Sequence, residues 1–209
     1  MKRVAKSKTS VRKSPKQGRS RTLVSSVIEA ATRILESIGA DSTTTNRIAE
    51  KAGVSIGSLY QYFPNKDSIF AQMIESQTDL NAIRFQRIID ENRKADPDFV
   101  IEVLVDEVVT FFDERRVFVR ELFAIVPKLK KTREVLYRRN RMLGIFIAYL
   151  KTLGPRLRNP DEIERSVYVI AHSLAGVLHT AALEDFESCS PQELRGELKA
   201  LVSAYLFKA

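Results

Sequence analysis

The side chains best suited to chemistry lie between residues 43 and 66, in the run TTTNRIAEKAGVSIGSLYQYFPNK. Hydroxyl, amide and aromatic groups recur there at short spacing, and such groups bind phosphates and base edges. The Gln61 amide can pair with adenine, and Ile56 or the bare Gly57 can approach a thymine methyl group. The chemistry expected of this run is recognition of double-stranded DNA.

Two short helices must position these groups. Thr44 is a suitable N-cap for the first helix, and Gly53 permits the tight turn that ends it. Ser55 can cap the second helix, which Pro64 ends after Phe63. Apolar residues at 48, 49, 52, 54 and 59 can pack the two helices crosswise. This pattern predicts a helix-turn-helix whose second helix enters a major groove.

The predicted DNA contacts combine phosphate and base groups. Lys66, at the start of the next helix, unites a cation with free backbone N–H groups, a combination that binds phosphate. Asn46 can reach a base edge. Tyr60 and Tyr62 could instead be core aromatics, and Phe63 is assigned to the core. The predicted contacts are Thr44, Thr45, Asn46, Ser55, Ile56, Gly57, Ser58, Tyr60, Gln61, Tyr62 and Lys66.

The stretch from Thr22 to Ile74 resembles the DNA-binding domain of the TetR family. It carries A-A-x-x-I before a glycine, then T-T-x-x-I-A-x-x-A-G-V-S, L-Y-x-Y-F and N-K. The resemblance implies a three-helix DNA-binding domain followed by a ligand-binding and dimerising helical domain. It places the recognition helix at Ser55–Tyr62 and phosphate contacts at Thr45, Tyr60, Tyr62 and Lys66.

The function expected from this resemblance is transcriptional regulation. We expect a ligand-responsive repressor that binds a palindromic operator as a homodimer, with an unknown small-molecule effector. The alternative is a DNA-binding protein of the same type with a non-transcriptional role, either nucleoid-associated or coupled to division. The two differ in their genomic sites, which would be few and beside promoters in the first case and scattered in the second.

Positive charge is concentrated at the start of the chain. The first 21 of 209 residues carry nine Lys and Arg and no acid, whereas the net charge is +8. The remainder is therefore at −1, so basicity is poor evidence for the helix-turn-helix. Residues 1–20 cannot form a core and are predicted to be a disordered arm. The arm either follows phosphates and a minor groove or is a solubilising tail.

Several classes of protein are disfavoured. The single cysteine, Cys189, allows no intramolecular disulfide and favours a reducing compartment. No apolar run approaches the ~20 residues of a membrane span, and no apolar stretch follows the basic start as in a secretory signal. There is no nucleophile elbow or metal-spaced His/Cys/Glu set. We expect a cytoplasmic protein that is not an enzyme and needs no cofactor or metal.

Apolar spacing predicts an all-α fold. The segment Phe99–Phe118 is rich in β-branched residues, but its length and its single apolar face favour a helix. The expected domains are the arm at 1–20, a DNA-binding domain at 21–67 whose last helix continues to about 89, and an effector-binding and dimerisation domain at 68–209. Further helices are predicted at Thr22–Ile38, Lys66–Ile89, Val119–Val126, Thr132–Leu153, Asp161–Glu184 and Pro191–Phe207.

The last two helices resemble the family's dimer interface, a bundle with two helices from each subunit. Small residues around Gly176 would allow close helix approach. The predicted interface residues are Val167, Ile170, Leu174, Leu178, Leu194, Leu198, Leu201 and Tyr205.

The effector pocket is expected among the middle helices, where aromatic residues favour an apolar or aromatic ligand. Core packing explains these residues equally well. His172 and His179 share a helix face but are about 10 Å apart along it, too far for one metal. Basic residues between Lys128 and Arg141 form a solvated face, or else bind an anionic effector or make an extra DNA contact. The candidate ligand residues are Phe111, Phe112, Phe123, Tyr137, Phe146, Tyr149 and His172.

Overall fold

The computed structural model describes residues 18–129, 141–183 and 190–208. This part of the chain is helical, with one isolated bridge between Leu157 and Phe207. Short 3₁₀ turns lie at Val126–Lys128, Gly154–Arg156 and Pro160–Glu162. The all-α prediction is confirmed. The helices are α1 (Gly18–Ser42), α2 (Thr45–Lys51), α3 (Ile56–Tyr62), α4 (Lys66–Glu91), α5 (Pro97–Glu114), α6 (Arg116–Ile125), α7 (Arg141–Leu153), α8 (Ile163–Leu183) and α9 (Pro191–Leu206).

These residues form two compact units. The first contains residues 18–77 and 121–129, and the second contains 78–120, 141–183 and 190–208. The predicted arm falls mostly on residues 1–17, outside the described residues. Its last three positions belong to α1, which begins at Gly18.

The first unit is built on the apolar face of α1. The backbone leaves helical geometry at Gly39 (φ +75°), directly after the predicted helix end at Ile38. This conformation favours glycine because a Cβ is strained there. Helix α1 packs on α2, and α2 packs on α3. The buried side chains of this unit include Val27, Ala31, Leu35, Ile48, Ala49, Leu59, Phe63, Ile69, Phe70 and Met73.

The predicted caps hold the ends of the short helices. Thr44 Oγ1 accepts from the Arg47 N–H at 3.3 Å, and Ser55 Oγ accepts from the Ser58 N–H at 3.1 Å. Asn65 caps the longer helix α4 in the same way, since its Oδ1 accepts from the Ser68 N–H at 2.9 Å. Each bond satisfies an N–H that has no partner within its helix. Ser55 thereby fixes the α3 side of the turn between α2 and α3.

The second unit surrounds one apolar cluster. Helix α5 packs against α8 and α9, and α7 packs against α8. Polar side chains also join α5 to α9, since Arg195 donates to Asp106, Thr110 and Asp113 at 3.1–3.4 Å. The buried cluster includes Ile101, Leu104, Val105, Phe146, Leu150, Val167, Ile170, Leu174, Leu178, Leu198 and Val202.

The predicted helix at Phe99–Phe118 is in fact two helices. Helix α5 ends at Glu114, Arg115 is non-helical (φ −121°, ψ 34°), and α6 begins at Arg116. The Arg115 guanidinium lies 4.1 Å from the centre of the Phe118 ring. No glycine or proline marks this break, so the prediction of a single helix was wrong. The choice of helix over strand is confirmed.

Candidate nucleic-acid interface

Helix α3 buries one edge and exposes the other. Leu59 and Phe63 are fully buried, which confirms Phe63 as a core residue. Ile56 and Tyr60 are 39% and 42% exposed, and Gly57 and Gln61 are also exposed. A major groove has the dimensions to admit one helix. The exposed edge of α3 is therefore free to contact bases.

A hydrogen bond joins the first residue of α2 to α3. Thr45 Oγ1 lies 3.0 Å from the Tyr60 hydroxyl oxygen, and either atom could be the donor. Whichever hydroxyl accepts keeps its own proton available for a phosphate oxygen, which can only accept. Sequence reasoning named both residues as phosphate contacts but missed this bond, because it depends on the crossing of α2 and α3. Thr44 and Asn46 lie exposed beside it.

Ser55 and Ser58 are engaged with each other. Their hydroxyl oxygens are 2.8 Å apart, in addition to the cap bond from the Ser58 N–H. Their first role is to hold the start of α3. Tyr62 is half-buried, between the exposed and core edges of the helix.

Lys66, predicted as a phosphate contact, already has an acceptor within the chain. Its Nζ donates to the Ala40 carbonyl oxygen at 3.0 Å and lies 5.6 Å from the centre of the Phe70 ring. An ammonium has three N–H donors, so two remain.

Two family models cover most of the chain. Residues 27–73 match the bacterial regulatory proteins of the tetR family, and residues 96–206 match the tetracyclin repressor-like C-terminal domain. The chain belongs to the TetR family. This TetR protein is accordingly a DNA-binding regulator, and dimers and repressors are typical of its family.

Solved structures show the same fold. A TetR-family regulator from Mesorhizobium loti has a TM-score of 0.73 at 20% identity, with 90% of this chain and 97% of that chain covered. The regulator FadR from Bacillus subtilis, solved in complex with stearoyl-CoA, has a TM-score of 0.71 at 16% identity. The match with FadR covers 87% of this chain and 98% of the FadR chain.

Sequence relatives match shorter stretches. The nucleoid occlusion factor SlmA of Vibrio atlanticus is 34% identical over 91 residues, 43% of this TetR chain and 44% of the relative. A helix-turn-helix transcriptional regulator of Staphylococcus aureus is 24% identical over 127 residues, 61% of this chain and 65% of that protein. The chain thus spans under half the length of the SlmA relatives.

The predicted dimer residues mostly point into the TetR chain's own core. Val167, Ile170, Leu174, Leu178 and Leu198 are buried within the second unit, and Leu194 and Tyr205 pack against it. Of the eight, Leu201 is the exposed one, at 50%. A side chain already covered by its own chain cannot supply much area to a second copy. The residues predicted for the dimer interface thus lie mostly on the inward side of α8 and α9.

Helices α8 and α9 also carry exposed residues, most of them apolar or aromatic, which together we call the outer face. Its residues are Tyr168, His172, Gly176, Val177, Leu183 and Leu201, all exposed. The His172 ring stacks on Tyr168 at 4.1 Å, and its Nδ1 lies 2.8 Å from the Tyr168 carbonyl oxygen, which can only accept. In this hydrogen bond the proton must therefore be on Nδ1 of His172.

Apolar residues on both sides make this helix unusual in composition. By length and hydropathy, Pro160–Leu183 would pass as a membrane span, with a mean hydropathy of 1.4, contrary to the sequence-based expectation that no stretch approaches one. Its inner apolar residues, among them Ile170, Leu174 and Leu178, lie in the core of a TetR fold and contribute to that hydropathy.

Three of the candidate effector residues belong to one apolar cluster, and the others that the structure describes do not. Phe146 is in the core of the second unit, and Phe112 and Tyr149 pack against it. Phe123 belongs to the first unit, His172 is exposed on the outer face, and Tyr137 lies outside the described residues. The Phe111 and Phe112 rings meet edge to face at 6.0 Å.

A cleft of about 320 Å³ lies at one end of the second unit. None of the candidate effector residues lines it. Burial, together with the nearby Asp96 carboxylate, raises the pKa of the Tyr149 phenol above its ordinary value, so Tyr149 stays a protonated donor at neutral pH. The residues lining the cleft are Asp96, Pro97, Asp98, Pro155, Arg156, Phe207 and Lys208.

The role of the Thr45–Tyr60 pair can be tested by removing each hydroxyl. Replacing Tyr60 with Phe removes one of the two hydrogen-bonded hydroxyls. Operator binding should weaken about 10-fold, as expected for the loss of a hydrogen bond to a charged phosphate. Thr45→Val should weaken binding by a similar factor. Because the two hydroxyls act together, the double variant should bind no more than slightly worse than either single one.

Titrations of a fluorescent operator would measure these affinities. Thr32→Val is the control, because the Thr32 hydroxyl bonds only the Ile28 carbonyl within α1. Fully additive losses in the double variant would show that the two hydroxyls contact DNA separately.

Proposed function

We propose that this TetR protein is a ligand-responsive repressor that binds a roughly palindromic operator as a homodimer. The observation that carries the proposal is the exposed edge of α3, next to the Thr45–Tyr60 pair at the start of α2. In this proposal Asn46, Ile56, Gly57 and Gln61 read base edges. Thr45, Tyr60 and Tyr62 bind phosphates, whereas Lys66 holds the Ala40 carbonyl oxygen.

Dimerisation would use the outer face of α8 and α9. Two copies related by a twofold axis would bury the same apolar residues on both sides, as a symmetric dimer requires. Gly176 has no side chain and would let the helices approach closely. The space beside it is open in the single chain, since a Cβ built there meets no atom within 4 Å. Such a dimer presents two copies of α3, which match two half-sites of an operator.

The effector would be an apolar or aromatic molecule bound within the second unit. The apolar character of α5 and α7 supports this class, since ligand pockets are lined mostly by hydrophobic and aromatic side chains. The FadR structure contains stearoyl-CoA, and its likeness to this chain lies in the fold alone. A panel of free fatty acids, acyl-CoA thioesters and aromatic acids would test for release from DNA.

A second candidate function is supported by the SlmA relatives. These nucleoid occlusion factors are 34–37% identical over 68–91 residues in the first matches. A protein of this kind would occupy many chromosomal sites without regard to promoters. The two functions differ in where the protein binds and share the same DNA-binding unit.

Genome-wide mapping of bound sites distinguishes the two functions. A repressor should give one or a few palindromic sites overlapping a promoter, and its deletion should raise transcription there. Gln61→Ala should then relax preference at a single base pair per half-site, with a loss of roughly 10-fold on the best operator. Many scattered sites and unchanged transcription would contradict repression, and no bound DNA would contradict both functions.

A further inference from the structure

The backbone of Ala40, in the turn between α1 and α2, is held by two ionised side chains. Its N–H donates to Glu121 Oε2 of α6 at 2.8 Å, and its carbonyl oxygen accepts from Lys66 Nζ of α4 at 3.0 Å. Ala40 itself is only 7% exposed. Hydrogen bonds to ionised groups are about twice as strong as neutral ones. We call Glu121 and Lys66 together the turn clamp.

The residues around the turn clamp are closely fitted. The Thr43 side chain is buried, its Oγ1 donates to the Gly39 carbonyl at 2.7 Å, and its N–H donates to the Ala40 carbonyl at 3.3 Å. A Cβ at Gly39 would lie 3.2 Å from Glu121 Oε2. The Glu121 carboxylate therefore has little freedom to move while the bond is intact.

The clamped turn leads directly into the DNA-facing residues. Thr44, the N-cap of α2, is four residues after Ala40, and Thr45 follows with its bond to Tyr60. Arg47 of α2 also reaches back, donating to the Ser42 carbonyl at 2.8 Å. A displacement of the Ala40 backbone would move the start of α2, and with it the groups proposed to contact phosphates.

We propose that Glu121 is a positioning residue for DNA binding, and that Lys66 shares this role through the turn clamp. A carboxylate near DNA can only repel its phosphates, so any favourable contribution of Glu121 must pass through the turn it holds. This inference rests on the proposed DNA contacts of Thr45 and Tyr60. It adds a required residue on α6, outside the helix-turn-helix.

Three substitutions at Glu121 test whether DNA binding depends on the length of this side chain or on its charge. Glu121→Ala removes the acceptor and should weaken operator binding about 10-fold. Glu121→Asp keeps the charge but retracts the carboxylate by one methylene, so a similar loss is expected. Glu121→Gln keeps an oxygen acceptor at the same reach and should bind within about 3-fold of the unsubstituted protein. Glu29→Ala is the control, because it makes the same charge change at an exposed pair with Arg33.

Three readouts accompany the affinities. The slope of log K against log salt should not change in any Glu121 variant, because no phosphate contact is lost. The Ala40 amide should exchange with solvent faster in the Ala and Asp variants and normally in Gln. Thermal unfolding identifies a variant that fails to fold, and the Asp variant then serves in place of Ala.

Two results would overturn the positioning role of Glu121. Faster exchange at Ala40 with unchanged affinity would overturn the proposal, as would tighter binding by Glu121→Ala. For Lys66, Lys66→Met should also weaken binding without changing the salt slope, whereas a slope reduced by about 0.9 would make it a phosphate contact. If the unsubstituted protein binds no operator, the proposed function fails rather than the clamp.

Discussion

Gly176→Arg on the outer face should convert the protein from a dimer to a monomer and weaken operator binding by about 100-fold or more. The single chain has room for the arginine, since no atom lies within 4 Å of a Cβ at this position. A second copy would lack that room, and the two charges would meet across the twofold axis. The loss is large because linked half-sites bind about 10²–10⁴ times more tightly than separate ones.

Gly144→Arg is a matched control for this experiment. Gly144 is also exposed on a helix, α7, and a Cβ there meets no atom within 4 Å. Both substitutions replace a helical glycine with a residue that favours helix by roughly 1 kcal/mol, so neither should destabilise the chain. Sedimentation velocity would give the oligomeric state. A dimer that persists in Gly176→Arg would place the interface elsewhere.

Phe63→Ala should destabilise the first unit by about 3–5 kcal/mol and abolish operator binding. The Phe63 ring is fully buried at the end of α3, so its removal leaves a cavity below the recognition helix. A loss of that size is a large part of the stability of a small domain. Urea unfolding followed by circular dichroism would measure it, and hydrogen exchange would show whether α1–α3 amides are the ones exposed.

Phe99→Ala is the control, because it makes the same substitution at an exposed position. Phe99 is 50% exposed on α5, so its replacement should cost less than about 1 kcal/mol and leave DNA binding intact. Equal losses in the two variants would mean that burial in the single chain does not decide the stability of this protein.

The helix-turn-helix was predictable because its signals are local. Thr44, Ser55 and Asn65 cap their helices as their side chains allow, and Gly39 and Gly53 have the positive φ values that end them. The apolar spacing of α3 likewise identified Phe63 as core. Each inference needed only residues within one or two turns of helix.

Contacts between distant residues were not predictable in this way. The bond between Ala40 and Glu121 joins positions 81 apart, and no pattern in either segment indicates it. The break at Arg115 lacks a glycine or proline that could announce it. In both cases the geometry depends on how whole helices pack, which local propensity does not contain.

The side of α8 that is buried within the chain was not predictable, for a different reason. Helix α8 is apolar on both sides, so its periodicity identifies a helix but cannot distinguish the inner side from the outer one. Val167, Ile170, Leu174 and Leu178 follow the same spacing as Tyr168, His172 and Gly176. Only the packing of α5 and α7 against one side decides which set is buried.

The dimer proposed through the outer face would make this protein sensitive to dilution. A surface that is covered only in the dimer contributes to stability in proportion to the logarithm of protein concentration, so the melting temperature should rise as the sample is concentrated. In a growing cell, an increase in volume without new synthesis lowers the protein concentration and would shift the proposed dimer towards the monomer. The concentration of the proposed repressor would then set both the occupancy of its operator and the stability of the chain.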